Sequence, residues 1–150
     1  MPLIELFVPE GALEADTRDR LVEELTTTLL HWEGAPDNDM SRAISWGYVH
    51  EVPAGHQYVG GRPLDGGEPR YRLKITVPQG ALDDRRKAGL VEDATRLVLA
   101  AEGGPDDEAA AFRVWVMIRE VTDGNWGAAG RIFRLRDIAQ AVGAGSAQPV

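Results

Sequence analysis

The chain has no cysteine, which excludes disulfides, thiolate catalysis and cysteine-ligated zinc. It is also short of bases: 16 Lys and Arg stand against 24 Asp and Glu, a net charge of -8. That deficit argues against nucleic-acid backbones and anionic membranes as partners, because both need a basic face. It leaves room for a small anion, since a pocket's local charge can oppose the global one. No apolar run approaches the length of a membrane span. The N-terminus lacks the basic, long-apolar and small-residue regions of a signal peptide, so a cytoplasmic location is expected. A phosphate-binding loop, a dinucleotide fingerprint and a serine elbow are all missing. His50-Glu51 starts like a zinc-binding helix, but the second histidine is not at the needed spacing and Pro53 precludes the helix. No metal and no cofactor are expected.

What is present is a duplication. With 150 residues the chain has the size of one domain with a two-layer core. Residues 2–8 alternate Ile4, Leu6 and Val8 against Leu3, Glu5 and Phe7, which predicts a strand. Pro9-Glu10-Gly11 breaks it. Leu21, Val22, Leu25 and Leu29 recur at helical spacing from Asp16 to about Trp32, with Asp16 or Thr17 as N-cap, and Gly34-Ala35-Pro36 ends that helix. Residues 43–52 read as a second strand, and Pro53-Ala54-Gly55 with Gly60-Gly61 frames a turn or hairpin. After the linker Pro63-Leu64-Asp65-Gly66-Gly67 the order restarts: a strand from Tyr71 to Val77, a helix from Asp83 to about Glu102, and a strand from Phe112 to Val121. Residues 131–135 make a short last strand, and a mobile tail is expected from about 139 to 150.

A constant offset of 69 pairs Val8 with Val77, Leu21 with Leu90, Pro36 with Pro105 and Trp46 with Trp115. It also pairs Glu51-Val52 with Glu120-Val121 and Gly61-Arg62 with Gly130-Arg131, without a gap. Repeat one spans about 2–62 and repeat two about 71–131, inside one domain. A helix crossing between two strands makes them parallel neighbours. Two such β-α-β units predict an α+β fold: a four-stranded mixed sheet with two helices on one face. The other face is left bare, and its large residues call for partner subunits.

A β-α-β unit starting at Pro2, the Pro9-Glu10-Gly11 turn, a strand ending in Arg119-Glu120-Val121 and the loop Asn125 to Gly130 together resemble the tautomerase superfamily. Pro53-Ala54-Gly55 with Val59-Gly60-Gly61 makes the duplicated chain similar to the cis-3-chloroacrylic acid dehalogenase branch. That resemblance implies a homotrimer, a small anionic substrate, and Pro2 as general base and acid in keto-enol transfer on a 2-keto or enol acid. Hydration, decarboxylation or weak dehalogenation of an unsaturated acid, and a catalytically silent binding trimer, stand as alternatives. The chemistry of residue 2 is independent of any relative. A small residue there permits an aminopeptidase to remove Met1, leaving a secondary amine. An α-amine titrates near ~8 and is partly neutral at cellular pH; apolar walls lower it further. Such an amine takes a proton from carbon and returns it elsewhere.

The resemblance also implies a histidine near the end of the first helix, where His31 stands and where the helix dipole favours its charged form. It implies an aromatic wall, for which Trp126 is the candidate. Substrate-binding arginines of the relatives are replaced here: Ala12 and Ala81 occupy the first-turn positions, and Val77 to Ala81 lack the dehalogenase pair. Met117 and Ala128 stand where that branch has a tyrosine and a water-activating glutamate, so dehalogenation is doubtful. Arg72 and Arg119 are the preferred replacements, because an anionic enol needs a fixed positive partner. By strand alternation Arg113 and Arg119 share a face with Trp115 and Met117.

Overall fold

The computed structural model describes residues 1–146. The first repeat holds β1 (Leu3–Pro9), α1 (Ala15–Glu33), α2 (Asp39–Ala43), β2 (Trp46–Val52) and a ribbon of β3 (Tyr58–Val59) and β4 (Arg62–Pro63). The second repeats that order with β5 (Tyr71–Pro78), α3 (Asp84–Glu102), α4 (Glu108–Ala111), β6 (Val114–Val121), β7 (Trp126–Ala128) and β8 (Arg131–Phe133). A final helix, α5 (Leu135–Ser146), follows. No helix among the described residues is long and apolar enough to cross a membrane.

The four long strands form one mixed sheet in the order β2-β1-β5-β6. Each crossover helix makes its flanking strands parallel, β1 with β2 and β5 with β6. The two units meet antiparallel, with Ile4 opposite Ile75 and Phe7 opposite Arg72. Alternation sends Ile4, Leu6, Val8, Leu73, Ile75 and Val77 toward the helices, each at most 2% exposed. Leu21, Leu25 and Leu29 of α1, and Leu90, Ala94 and Val98 of α3, lie four apart and cover that face. The C-terminal end of α1 packs closely on the middle of α3. The indole Nε1 of Trp32 donates to Asp93 Oδ2 at 2.9 Å, and a Cβ on Gly89 would sit 2.2 Å from the Trp32 ring. The second layer therefore fixes the position of the C-terminal end of α1.

The opposite face is bare, as expected. Trp46, Tyr48, Trp115 and Met117 are 63%, 51%, 67% and 50% exposed. Between them lies a polar strip, where the Glu5 carboxylate meets Lys74 Nζ at 2.9 Å and His50 Nε2 at 3.3 Å.

Several boundaries differ from the sequence reading. Helix α1 starts at Ala15 with Glu14 at the N-cap and no side-chain cap bond, rather than at Asp16 or Thr17. Residues 43–45 are not strand. Asn38 Oδ1 accepts the Ser41 N–H and starts α2, which delays β2 to Trp46. Asp107 Oδ1 does the same for Ala110 and delays β6 to Val114. Arg113 consequently precedes the strand and is 4% exposed, so it does not share the bare face with Met117 and Arg119. The expected mobile tail is helical as far as Ser146, because Ile138 and Val142, spaced four apart, bury themselves at 6% and 8% exposure. Residues 147–150 of that tail lie outside the described residues.

Candidate active site

At the start of β1 the chain closes a cavity of about 190 Å³. Its floor is Pro2, its walls come from the end of α1, from Ser41 and Ile44, and from Pro78 and Ala81, and α5 roofs it with Leu135, Ile138 and Val142. Pro2 is buried, and its carbonyl oxygen accepts the Trp46 N–H at 3.1 Å, which anchors it to β2. Met1 is in place, so the Pro2 nitrogen is an amide in this form. The left-handed Gly34 (φ 68°) ends α1 with its N–H on the His31 carbonyl, turning the last residue, Glu33, into the cavity wall.

Two polar side chains line this apolar space. Burial pushes the Glu33 carboxyl up to about 7, and the terminal amine beside it holds it partly down. Burial in turn lowers the terminal amine, opposed by Glu33. Ser41 is 1% exposed and its hydroxyl has no hydrogen-bond partner. Among the described lining residues there is no arginine, lysine or histidine.

Of the residues singled out in the sequence, this cavity contains Pro2 and none of the others. His31 is exposed on the last turn of α1, with its ring edge-on to Trp32 at 5.3 Å. Arg72 lies at the other end of the sheet, its guanidinium 4.0 Å above the Phe7 ring. Arg119 sits level with Pro2, since it registers with Thr76 and Thr76 with Leu3. It is two strand spacings from β1, about 10 Å, and on the bare face. Trp126 is half-buried in the β7–β8 ribbon, opposite Phe133.

The second repeat builds a different site from the same backbone. Tyr71 replaces Pro2, and a cavity of about 480 Å³ lined by Phe7, Arg70, Arg72 and Trp115 adjoins it. Glu102, the counterpart of Glu33, accepts two bonds from Arg113 at 2.8 and 2.7 Å. The guanidinium holds the Glu102 carboxyl below the usual carboxylate range, while burial and the adjacent carboxylate push the Tyr71 phenol up. Sequence reasoning missed Glu33. The signal was available, because the offset of 69 places it on Glu102 within a shared Glu-Gly-x-Pro turn.

Residues 73–136 match the family model described as tautomerase enzyme. No curated protein matches the chain. Among solved structures it is similar to a fused 4-OT, a wild type symmetric trimer, at 19% identity over 92% of this chain and 98% of that one, with a TM-score of 0.71. It is similar to Pt0534 inactivated by 2-oxo-3-pentynoate at 22% identity, covering 87% and 94%, with a TM-score of 0.70. A member of the cis-3-chloroacrylic acid dehalogenase (cis-CaaD) family aligns at 19% identity over 87% and 82%, with a TM-score of 0.69. The second repeat thus matches the tautomerase family model, and nearly the whole chain shares the fold of the fused, two-repeat 4-OT structures.

Proposed function

We propose that the chain is a tautomerase that moves a proton between carbon and oxygen of a small 2-oxo or enol acid, with Pro2 as base and then acid. The observation that carries this reading is the position of Pro2, buried at the floor of an apolar cavity of about 190 Å³. Removal of Met1 exposes a secondary amine there. Apolar walls disfavour its charged form, so at neutral pH part of it is free to accept a proton from carbon. That a relative is inactivated by 2-oxo-3-pentynoate, itself a 2-oxo compound, supports the substrate class.

The acid's charge needs a partner that the cavity of a single chain does not supply. We assign it to Arg119 and Arg72, which lie on the bare face and reach a substrate only across a contact between copies. We assign the cover over Trp46, Tyr48, Trp115 and Met117 to a homotrimer: the exposure of that face calls for a partner, and a relative of the same fold is a symmetric trimer. His31 and Trp126 have their place in this reading at such contacts and not inside the cavity.

Intact mass first establishes whether Met1 is removed; retention sinks the enzyme reading. On processed protein, ketonisation of phenylenolpyruvate is expected for the wild type and lost in Pro2→Ala. Equal rates in both rule out proline chemistry. The absence of an arginine from the cavity favours one other reading, a silent binding trimer, and no turnover by either protein supports it. Trp115→Glu is expected to convert the assembly to monomers, read by light scattering.

A further inference from the structure

We propose that Glu33 is the second proton carrier of this site, exchanging a proton with the carbonyl oxygen of the substrate while the Pro2 amine exchanges one with carbon. This rests on the reading of Pro2 given above. Glu33 lines the same cavity as Pro2 from the last turn of α1. It is in the place where the second repeat has Glu102, but Ile44 stands where the second repeat has Arg113, so the neutralising guanidinium is replaced by a hydrocarbon. A half-buried carboxyl against apolar walls, without a cationic side chain, is costly to ionise, and this one is pushed up to about 7. It therefore still carries a proton to give near neutrality, as an acid group matched to its working pH must.

The charged groups around it are few. From the start of β1 it faces the terminal amine. From α3, Arg86 Nη1 donates to the Glu33 backbone carbonyl at 3.4 Å. Neither α2 nor α5 adds a charged lining side chain among the described residues. Ser41, with its unpartnered hydroxyl, is the one further polar side chain in the wall and fits a hydrogen bond to the same substrate oxygen.

The proton count closes. In enolisation the C–H bond breaks and its proton goes to the Pro2 nitrogen, and the freed electron pair forms C=C. The carbonyl π pair takes the Glu33 proton as an O–H bond, leaving a carboxylate and an ammonium. Ketonisation reverses each transfer: the Glu33 carboxylate takes the enol proton and the Pro2 ammonium protonates carbon. In both directions the amine and the carboxyl together hold one proton, so they titrate as a pair.

The test compares wild type, Glu33→Gln and Pro2→Ala, all confirmed to lack Met1, in the ketonisation of phenylenolpyruvate from pH 5 to 9. Glu33→Gln is expected to stay folded with a Tm at neutral pH no lower than wild type, lose about a hundredfold in kcat, and lose the acid-side fall of the kcat/KM profile, which reports protonation of the carboxylate. A Glu33→Gln protein with kcat within twofold of wild type and an unchanged profile overturns the proposal, while an inactive Pro2→Ala leaves the proline reading standing. A fully active Pro2→Ala overturns both. Independently of turnover, the Glu33 carboxyl carbon is followed by NMR in the chain carrying Met1. A midpoint near 7 is expected, and a midpoint in the ordinary range near ~4.3 overturns the proposal.

Discussion

The first repeat ends its helix on Glu33 beside Pro2, and the second ends its helix on Glu102 beside Tyr71, 69 residues later. Strands, helices and ribbons recur in the same order, yet the two carboxyls move in opposite directions. Glu102 is held down by Arg113, and Glu33 is pushed up by burial. Two substitutions separate the carboxyls, Ile44 in one copy against Arg113 in the other and Pro2 against Tyr71, whose phenol also helps hold Glu102 down. Duplication supplied two equivalent ends of a sheet. The second end pairs Glu102 with Arg113 and sets Tyr71 beside a cavity lined by arginines, whereas the first has an apolar cavity with Pro2 at its floor and a carboxyl pushed up by burial.

The largest effect is expected from removing the ion pair. Arg113→Met leaves Glu102 buried without its partner and should cost about 3–5 kcal/mol in urea unfolding, whereas Ile44→Met at the equivalent place should cost less than about 1.5 kcal/mol. Similar losses at both sites would break the comparison.

The pH dependence of stability comes next and differs in sign. Glu33 binds its proton more tightly folded than unfolded, so stability is full below the ordinary carboxylate range. It falls as pH rises from 4.5 to about 7, by up to about 3 kcal/mol in the chain carrying Met1. Glu33→Gln should flatten that slope. Glu102 is depressed, so its contribution is present above the ordinary range and lost as pH falls through its folded value. Urea midpoints between pH 3 and 8 for Glu33→Gln and Glu102→Gln separate the two windows.

Ile44→Arg transplants the second repeat's cation into the first. The Glu33 midpoint should fall by about two units, as beside any close guanidinium, and tautomerase activity should fall with it. An unmoved midpoint in the NMR titration would mean that the two ends of the sheet are less alike than their register implies. The smallest effects belong to the caps. Asp107→Ala should cost about 1 kcal/mol. Asn38→Ala should cost about 1 kcal/mol more, because Asn38 Nδ2 also donates to the Val142 carbonyl at 3.1 Å; calorimetry of the two variants checks the order.

Much of the fold was legible because its signals are local and repeated. Alternation in residues 3–8 and 71–77, and four-residue spacing in both helices, gave the two layers and the bare face. Of the candidate site residues, Pro2 is the one that the cavity contains. Helical phase alone argues against His31 at the cavity: Leu29 and Leu30 face inward, and Glu33 follows them at four and three residues while His31 does not. Strand parity argues in the same way against Arg72 and Arg119 as neighbours of Pro2 within one chain, since both register with odd-numbered β1 residues on the bare face, whereas Pro2 shares the parity of Ile4. Helix α5 was missed although Leu135, Ile138 and Val142 recur at helical spacing, because the Gly143-Ala144-Gly145-Ser146 end reads as a small, polar tail.

By itself the sequence determined the duplication, the order of elements, the face each strand buries and the proline at position 2, because each follows from period and spacing along the chain. Tertiary structure decided which carboxyl is paired and which is pushed up by burial. The cost of ionising Glu33 is a sum over walls brought from β1, α1, α2, β5 and α5, and no local stretch of sequence contains that sum.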